Sequence, residues 1–413
     1  MRKITIDKLM TTASALFLFA GCTVGPDYRE PKLATPASWQ EAQQKGVDIR
    51  PLELTQWWTS FNDPLLNSLV ERAAKSNLDL RTAEARIREA RASRAVTASG
   101  LWPTVDVSAS YSRNRTSENA LALGTLAPQG GGRLEQDLFK TGFDASWEID
   151  VFGGVRRGIE AADATIDATV ESRRDVLVTL LGDVAKNYID LRGFQRRLVV
   201  ARNNLKAQQD TLELTRIRFQ AGLTNDLEVA QAEAQVSTTM AQIPTLESSL
   251  KQSAYSLDLL LGRAPGALWN ELAQETAIPS LPPEILVGLP SDLLRRRPDI
   301  RFAERQLAAS TAQIGAATAD LFPKFFLTGI FGLQSISASD WFTGRSRYWS
   351  IGPTISWPIF DAGRIRANIE IRNAQQEQAL TQYEKTVLAA FGDVEKSLVN
   401  YSREQVRQQA LIG

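Results

Sequence analysis

Residues 79–103 read DLRTAEARIREARASRAVTASGLWP, and residues 299–323 read DIRFAERQLAASTAQIGAATADLFP. The second stretch follows the first without a gap at an offset of 220: Asp79, Arg81, Ala83, Glu84, Ala92, Leu101 and Pro103 meet Asp299, Arg301, Ala303, Glu304, Ala312, Leu321 and Pro323. Seven identities in 25 positions compare with roughly one or two from average composition. A second echo, Gly182-Asp183-Val184-Ala185-Lys186 against Gly392-Asp393-Val394-Glu395-Lys396, comes at an offset of 210. The chain reads as two copies of one half-domain, too long for the roughly 20 to 50 residues of a solenoid repeat.

Composition removes several kinds of chemistry. With 47 basic and 47 acidic residues in 413 the net charge is +0, so no basic field exists to hold nucleic acid. Histidine is absent, which takes away the commonest general base and metal ligand. No catalytic residue, metal or cofactor is therefore assigned. The one cysteine, Cys22, ends a segment with a basic start (Arg2, Lys3, Lys8) and an apolar run from Ala13 to Ala20. That is an export signal, too short to span a bilayer. Two readings of Cys22 stand: a plain signal with a buried thiol, or a signal resembling those of bacterial lipoproteins, in which Cys22 becomes the acylated first residue. In lipoproteins of that type, Thr23 rather than Asp after the cysteine implies passage to the outer membrane.

The segments follow in order: a signal over 1–22, an extended arm with Pro26, Pro31, Pro36 and Pro51 over 23–60, a first repeat over 61–270, a Pro-rich linker over 271–290 and a second repeat over 291–413. The first repeat opens with a short helix from Phe61, capped by Asn62 or Asp63 with Pro64 in the first turn. Asp79 is expected to cap the next helix, which stops before Gly100 and Pro103.

Beyond Pro103 the period becomes two. Val105, Val107, Ala109 and Tyr111 alternate with polar neighbours, as do Phe143, Ala145, Trp147, Ile149 and Val151. This predicts strands at about 103–114 and 141–152, and in the second copy at about 323–335 and 347–360, making two hairpins. Each alternating run is about nine residues, the length of a tilted membrane strand. Alternation alone fits a soluble sheet on a core equally well. Aromatics near the strand ends (Trp102, Phe143, Phe152, Trp341, Phe342, Trp349, Trp357, Phe360) favour lipid, as interfacial girdles do. Asp106, Asp144, Glu148 and Asp150 then fall on the water-filled face, where they either favour cations or merely keep a lumen wet. The spacing of Glu148 and Asp150 reflects strand alternation, not a glycosidase pair.

Each second strand runs into a long helical pattern. Val170, Leu177, Val184, Leu191, Leu198, Leu205, Leu212 and Phe219 repeat every seven residues, which imposes left-handed supercoiling. A continuous helix over about 155–219 is on the order of 100 Å long. Gly222 breaks it, and Asn225 or Asp226 caps a return over about 224–261. That return is expected to pack through the small seam Leu223, Leu227, Ala230, Ala234, Ser237 and Ala241, with Pro244 marking a kink or joint. In the second copy Leu380, Tyr383, Val387, Ala390, Val394, Leu398 and Tyr401 form the seam of a helix over about 362–413. The counterpart of the first turn and return is expected to need roughly 60 residues beyond Gly413, so this copy lacks its last helical segment.

Four membrane strands cannot close, because an open edge in hydrocarbon leaves backbone groups unpaired and the smallest usual barrel has about eight strands. Several chains must contribute. Gly25-Pro26-Asp27-Tyr28, the run Leu294 to Arg301, the turn Arg218 to Thr224, and Leu260-Leu261-Gly262 together resemble the outer-membrane efflux channel family, the TolC-like group, in its lipoprotein NodT-type branch. The resemblance implies a mixed fold: a membrane β-barrel continued by a long α-helical barrel, as a homotrimeric tube with four strands per chain. It also implies an outer-membrane, lipid-anchored location with the helices in the periplasm of a Gram-negative cell. The role implied is exit channel of a tripartite efflux pump, with a periplasmic adaptor and an inner-membrane pump as partners. Arg218, Gly222, Leu223 and Thr224 match the tip offered to the adaptor; Gly222 is also simply a helix stop. A type I protein-export duct on the same fold, and a lipid-anchored coiled-coil adaptor or scaffold, are the alternatives.

Overall fold

The computed structural model describes residues 23–41, 47–48, 54–115, 135–279, 285–286 and 289–412. Cys22 and part of the 271–290 linker lie outside them. In order come α1 (Pro64–Ser76), α2 (Leu78–Ser99), β1 (Thr104–Arg115), β2 (Glu135–Ile149), α3 (Gly154–Gln220), α4 (Asp226–Leu260), the single turn α5 (Trp269–Leu272), α6 (Pro290–Arg296), α7 (Pro298–Ala319), β3 (Lys324–Ser335), β4 (Arg347–Ser356) and α8 (Arg364–Ile412). The chain forms two compact units, one of residues 1–31, 89–167 and 303–383, the other of 32–88, 168–302 and 384–413.

The first unit carries the sheet. Its order is β1-β2-β3-β4, antiparallel throughout. Pairing of β2 with β3, from Phe139 opposite Ser335 to Ile149 opposite Phe325, joins the two expected hairpins into one sheet. Two boundaries move. Strand β2 starts at Glu135, not near 141, because its first residues are polar on both faces and show no alternation, yet pair with β1 as far as Arg115. Phe143 consequently sits in mid-strand. Strand β4 stops at Ser356 because its partner β3 begins at Lys324, directly opposite, and supplies no backbone groups beyond it.

The second unit has the apolar core. Leu66, Leu69, Val70 and Ala73 of α1, Val184, Tyr188 and Leu191 of α3, and Leu250, Ala254 and Leu257 of α4 cluster there with Leu268 and Leu272. Asp63 caps α1, its Oδ1 accepting from the N–H groups of Leu65 and Leu66, and its Oδ2 accepts from Tyr188 at 2.7 Å. Helix α2 is capped by Asn77, not Asp79: Asn77 Oδ1 accepts from Asp79 and Leu80 while its amide donates to Leu260 O. The seven-residue seam of α3 is buried at Val184, Leu191, Leu198 and Leu212 and opens at Phe219.

Helix α4 departs most from expectation. It runs unbroken through Pro244, so the proline marks no joint between helices. Its buried face is Val229, Thr239, Leu250, Ala254 and Leu257, whereas Leu223, Leu227, Ala230, Ala234, Ser237 and Ala241 are exposed. Over the stretch of that seam the buried positions are Val229 and Thr239, out of phase with it, so the face that turns inward is not the one the small residues mark.

Candidate functional site

The strand register sorts every side chain of the sheet onto two faces, since successive residues alternate. One face carries Val105, Val107, Phe143, Ala145, Trp147, Leu327, Phe331, Trp349, Ile351 and Ile355. The other carries Thr104, Asp106, Ser108, Asp144, Ser146, Glu148, Thr328, Tyr348, Ser350 and Thr354, along with Lys140 and Lys324 and two apolar side chains, Phe326 and Ile330. Most of the apolar face is uncovered, including Val107, Phe143, Phe331, Trp349 and Ile351. Neither β1 nor β4 has a partner on its outer side among the described residues.

Aromatic groups gather at both ends of the strands. At one end Tyr111, Phe139, Trp341 and Phe342 form a chain with centroid spacings of 4.9, 5.4 and 4.8 Å. At the other Phe152 stacks on Phe322 at 4.6 Å. There the indoles of Trp147 and Trp357 donate to the carbonyls of Leu101 and Leu321 at 2.9 and 3.0 Å, one in each copy of the repeat. Indoles with one polar tie and an apolar body suit a membrane–water interface.

On the polar face Asp106 stands directly opposite Asp144, and Ser108 donates to Asp144 at 2.7 Å. Glu148 lies 3.9 Å from Lys324, which pairs with Asp320 at 3.0 Å. Asp150 does not belong with them. It follows the end of β2, and its carboxylate accepts from the Val155 and Arg156 N–H groups at 3.2 and 2.9 Å and from Arg156 Nε at 3.2 Å. It holds the start of α3, where an acid complements the positive helix end. Among the described residues no three His, Cys, Asp or Glu side chains come together as a metal site.

The turn between α3 and α4 is built by backbone geometry. Gly222 has φ +77°; its N–H donates to Phe219 O, and Leu223 N–H donates to Arg218 O, both at 2.9 Å. This pair of bonds is the Schellman stop, which wants glycine at the left-handed position. Asn225 Oδ1 then accepts from Glu228 N–H to start α4. Around the turn Arg218 and Leu223 project into solvent, Leu223 with 69% of its surface exposed. Thr224 is half-buried.

The sequence reading missed the buried cations. Arg192, 1% exposed, donates to Gln195 and to the carbonyls of Leu272 and Gln274 and lies 4.9 Å from the Tyr188 ring. Arg157, 3% exposed, grips the arm. A buried charge has no periodicity; only the position of Arg157 in the first turn of a helix after a strand set it apart.

An amphipathic sheet whose two edges are unpaired among the described residues, and whose strands give way to helices of 67 and 49 residues, has the make-up of a channel wall. The chain belongs to the outer membrane efflux protein family, whose profile matches residues 69–263 and 289–411. It is 36% identical to nodulation protein T of Rhizobium leguminosarum bv. trifolii, covering 97% of this chain and 83% of that one. It is 34% identical to the pyoverdine export outer membrane protein OpmQ of Pseudomonas aeruginosa, covering 95% and 81%. The fold superposes on the outer-membrane channel OprN with a TM-score of 0.85 at 37% identity, covering 95% and 85%. This is an outer-membrane exit channel that serves efflux.

Proposed function

We propose that three copies of this chain close into one twelve-stranded barrel, β1 of each copy pairing with β4 of the next, with the helices continuing it as an α-helical barrel in the periplasm. The open edges carry this reading: unpaired backbone groups are not tolerated in lipid, and closure is what removes an edge. The uncovered small-residue face of α4 supports it, because a helix in the wall of a tube has one neighbour from its own chain and another from the next. Acylation of Cys22 anchors the chain in the outer membrane. Arg218, Gly222, Leu223 and Thr224 meet the periplasmic adaptor, which joins the channel to an inner-membrane pump. The chain does no chemistry. Its cargo is chosen upstream, and export of small molecules fits relatives named for pyoverdine and solvent efflux. Asp106, Asp144 and Glu148 line the lumen in three copies and favour cations over anions.

Purified protein in planar bilayers tests this. Discrete conductance with cation preference, and an oligomer band that heat converts to monomer, are expected; a monomeric species without conductance overturns it.

A further inference from the structure

The extended arm is tied down by one buried guanidinium. Arg157 Nε donates to Val24 O at 3.1 Å, and Nη2 donates to Asp27 Oδ1 at 2.7 Å and to Gly25 O at 3.4 Å. Its remaining nitrogen, Nη1, bonds Glu160 at 2.8 Å. Beneath this, glycine lies on glycine. A Cβ on Gly25, whose φ is +90°, would come within 2.3 Å of Gly315 Cα, and one on Gly315 would come within 2.9 Å of the Arg157 stem. Just ahead, Val24 N–H donates to Phe152 O at 3.2 Å, and a Cβ on Gly153 would come within 2.7 Å of Thr23 Cγ2. Further along, the Tyr28 hydroxyl donates to Glu304, which is also gripped by Arg305.

These contacts have one physical logic. A guanidinium this deep is costly unless its donors are met, and most of its acceptors come from residues 24–27. Two glycines let backbone lie on backbone where any side chain would hold the arm off. The arm is thereby fixed in register at the turn Val151–Gly153, on the end of the sheet where Trp147, Phe152, Phe322 and Trp357 gather.

We propose that Arg157, with Gly25 and Gly315, is the receptor for the segment Val24–Asp27, and that this clasp delivers a lipid borne two residues earlier, on Cys22, into the bilayer at the aromatic end of the sheet. The delivery step rests on Cys22 being acylated and the sheet being membrane-embedded; the clasp itself does not. The arm is a positioning strap, and Arg157 is its buckle.

Trypsin cleavage after Arg29, followed on the full-length channel purified in detergent, reads the clasp directly. Wild-type arm is expected to resist, while Arg157→Met and Gly25→Ala are cut about tenfold faster, because cleavage tracks the population of released arm. Arg157→Lys, which keeps charge but loses the fork, falls between. If Arg157→Met fails to accumulate, Gly25→Ala and Asp27→Asn, which leave the guanidinium in place, supply the same reading. Unchanged cleavage in these folded variants overturns the clasp. Cys22→Ser behind a non-lipoprotein export signal should keep full protection; loss of protection there also overturns it, since the lipid and not Arg157 would then be holding the arm. Mass spectrometry of the released peptide tests delivery separately: an acylated Cys22 supports it, and a wild-type peptide without an acyl group overturns delivery alone.

Discussion

Gly332 shows what one residue decides in this sheet. A Cβ there would come within 2.4 Å of Thr141 O and 2.8 Å of Gly142 Cα, beside the Tyr348 ring at 3.0 Å. Gly352, on the same face, has nothing within 4 Å. Gly332→Val should therefore abolish accumulation in the outer-membrane fraction while Gly352→Ala leaves it unchanged, as immunoblotting of that fraction would show. Acid sensitivity is set equally locally at Asp299. Burial works against its charge, but Arg297, at 3.0 and 2.7 Å, and the Ile300 N–H outweigh it and hold the carboxyl below its ordinary pKa. The unfolded chain takes up this proton first, so the stabilisation is complete above an unfolded pKa of about 4 and is lost as pH falls through the lowered value. Asp175 acts in the opposite sense, since burial and the nearby Asp299 raise its pKa. Asp393 also faces Arg297, at 3.4 Å. In an Asp175→Asn background, Asp299→Asn should flatten the pH dependence of stability below pH 4, read as urea midpoints by tryptophan fluorescence.

At the level of elements, the tip is a test of geometry against contact. Gly222→Val forces a β-branched residue into the left-handed region, a cost of about 1 to 2 kcal/mol, and should lower the helix melting temperature by circular dichroism. Leu223→Asp touches no backbone requirement; it should leave melting unchanged and abolish co-purification with the adaptor. Equal loss in both assays for both variants would make the turn a helix stop only. Strands and long helices were legible in the sequence because alternation and seven-residue spacing are local patterns. The packing face of α4 was not: Ala230, Ala234, Ser237 and Ala241 form one stripe and Val229, Val236 and Thr239 another beside it, of similar size and polarity, and which one turns inward depends on α3. Caps were half-legible. Asp63 and Asn225 stand where pattern put them, but Asn77 displaced Asp79, because its amide also reaches Leu260 O across the fold. Alternation in the sequence continues past Ile149, the last paired residue of β2, and so carries Asp150 onto the lumen face, where the structure does not put it. The arm's clasp was invisible, since Gly25 to Tyr28 is recognisable as a motif but its receptor lies 130 residues on at Arg157.

At the scale of the whole molecule, the two bare edges can be joined chemically. Val107 on β1 and Ile351 on β4 share the apolar face but are separated within one chain by two intervening strands, about 14 Å at ordinary strand spacing, too far for a disulfide. Val107→Cys combined with Ile351→Cys should give, on oxidation in membranes, covalent dimers and trimers on a non-reducing gel; an exclusively monomeric pattern would count against edge-to-edge closure. Those edges also bear on inheritance. If a ring needs every member to seal, a defective copy spoils its sound companions, and with half the supply defective only about one ring in eight is free of it for three places. A cell carrying both alleles would be sensitised far beyond the halving that gene dosage alone suggests.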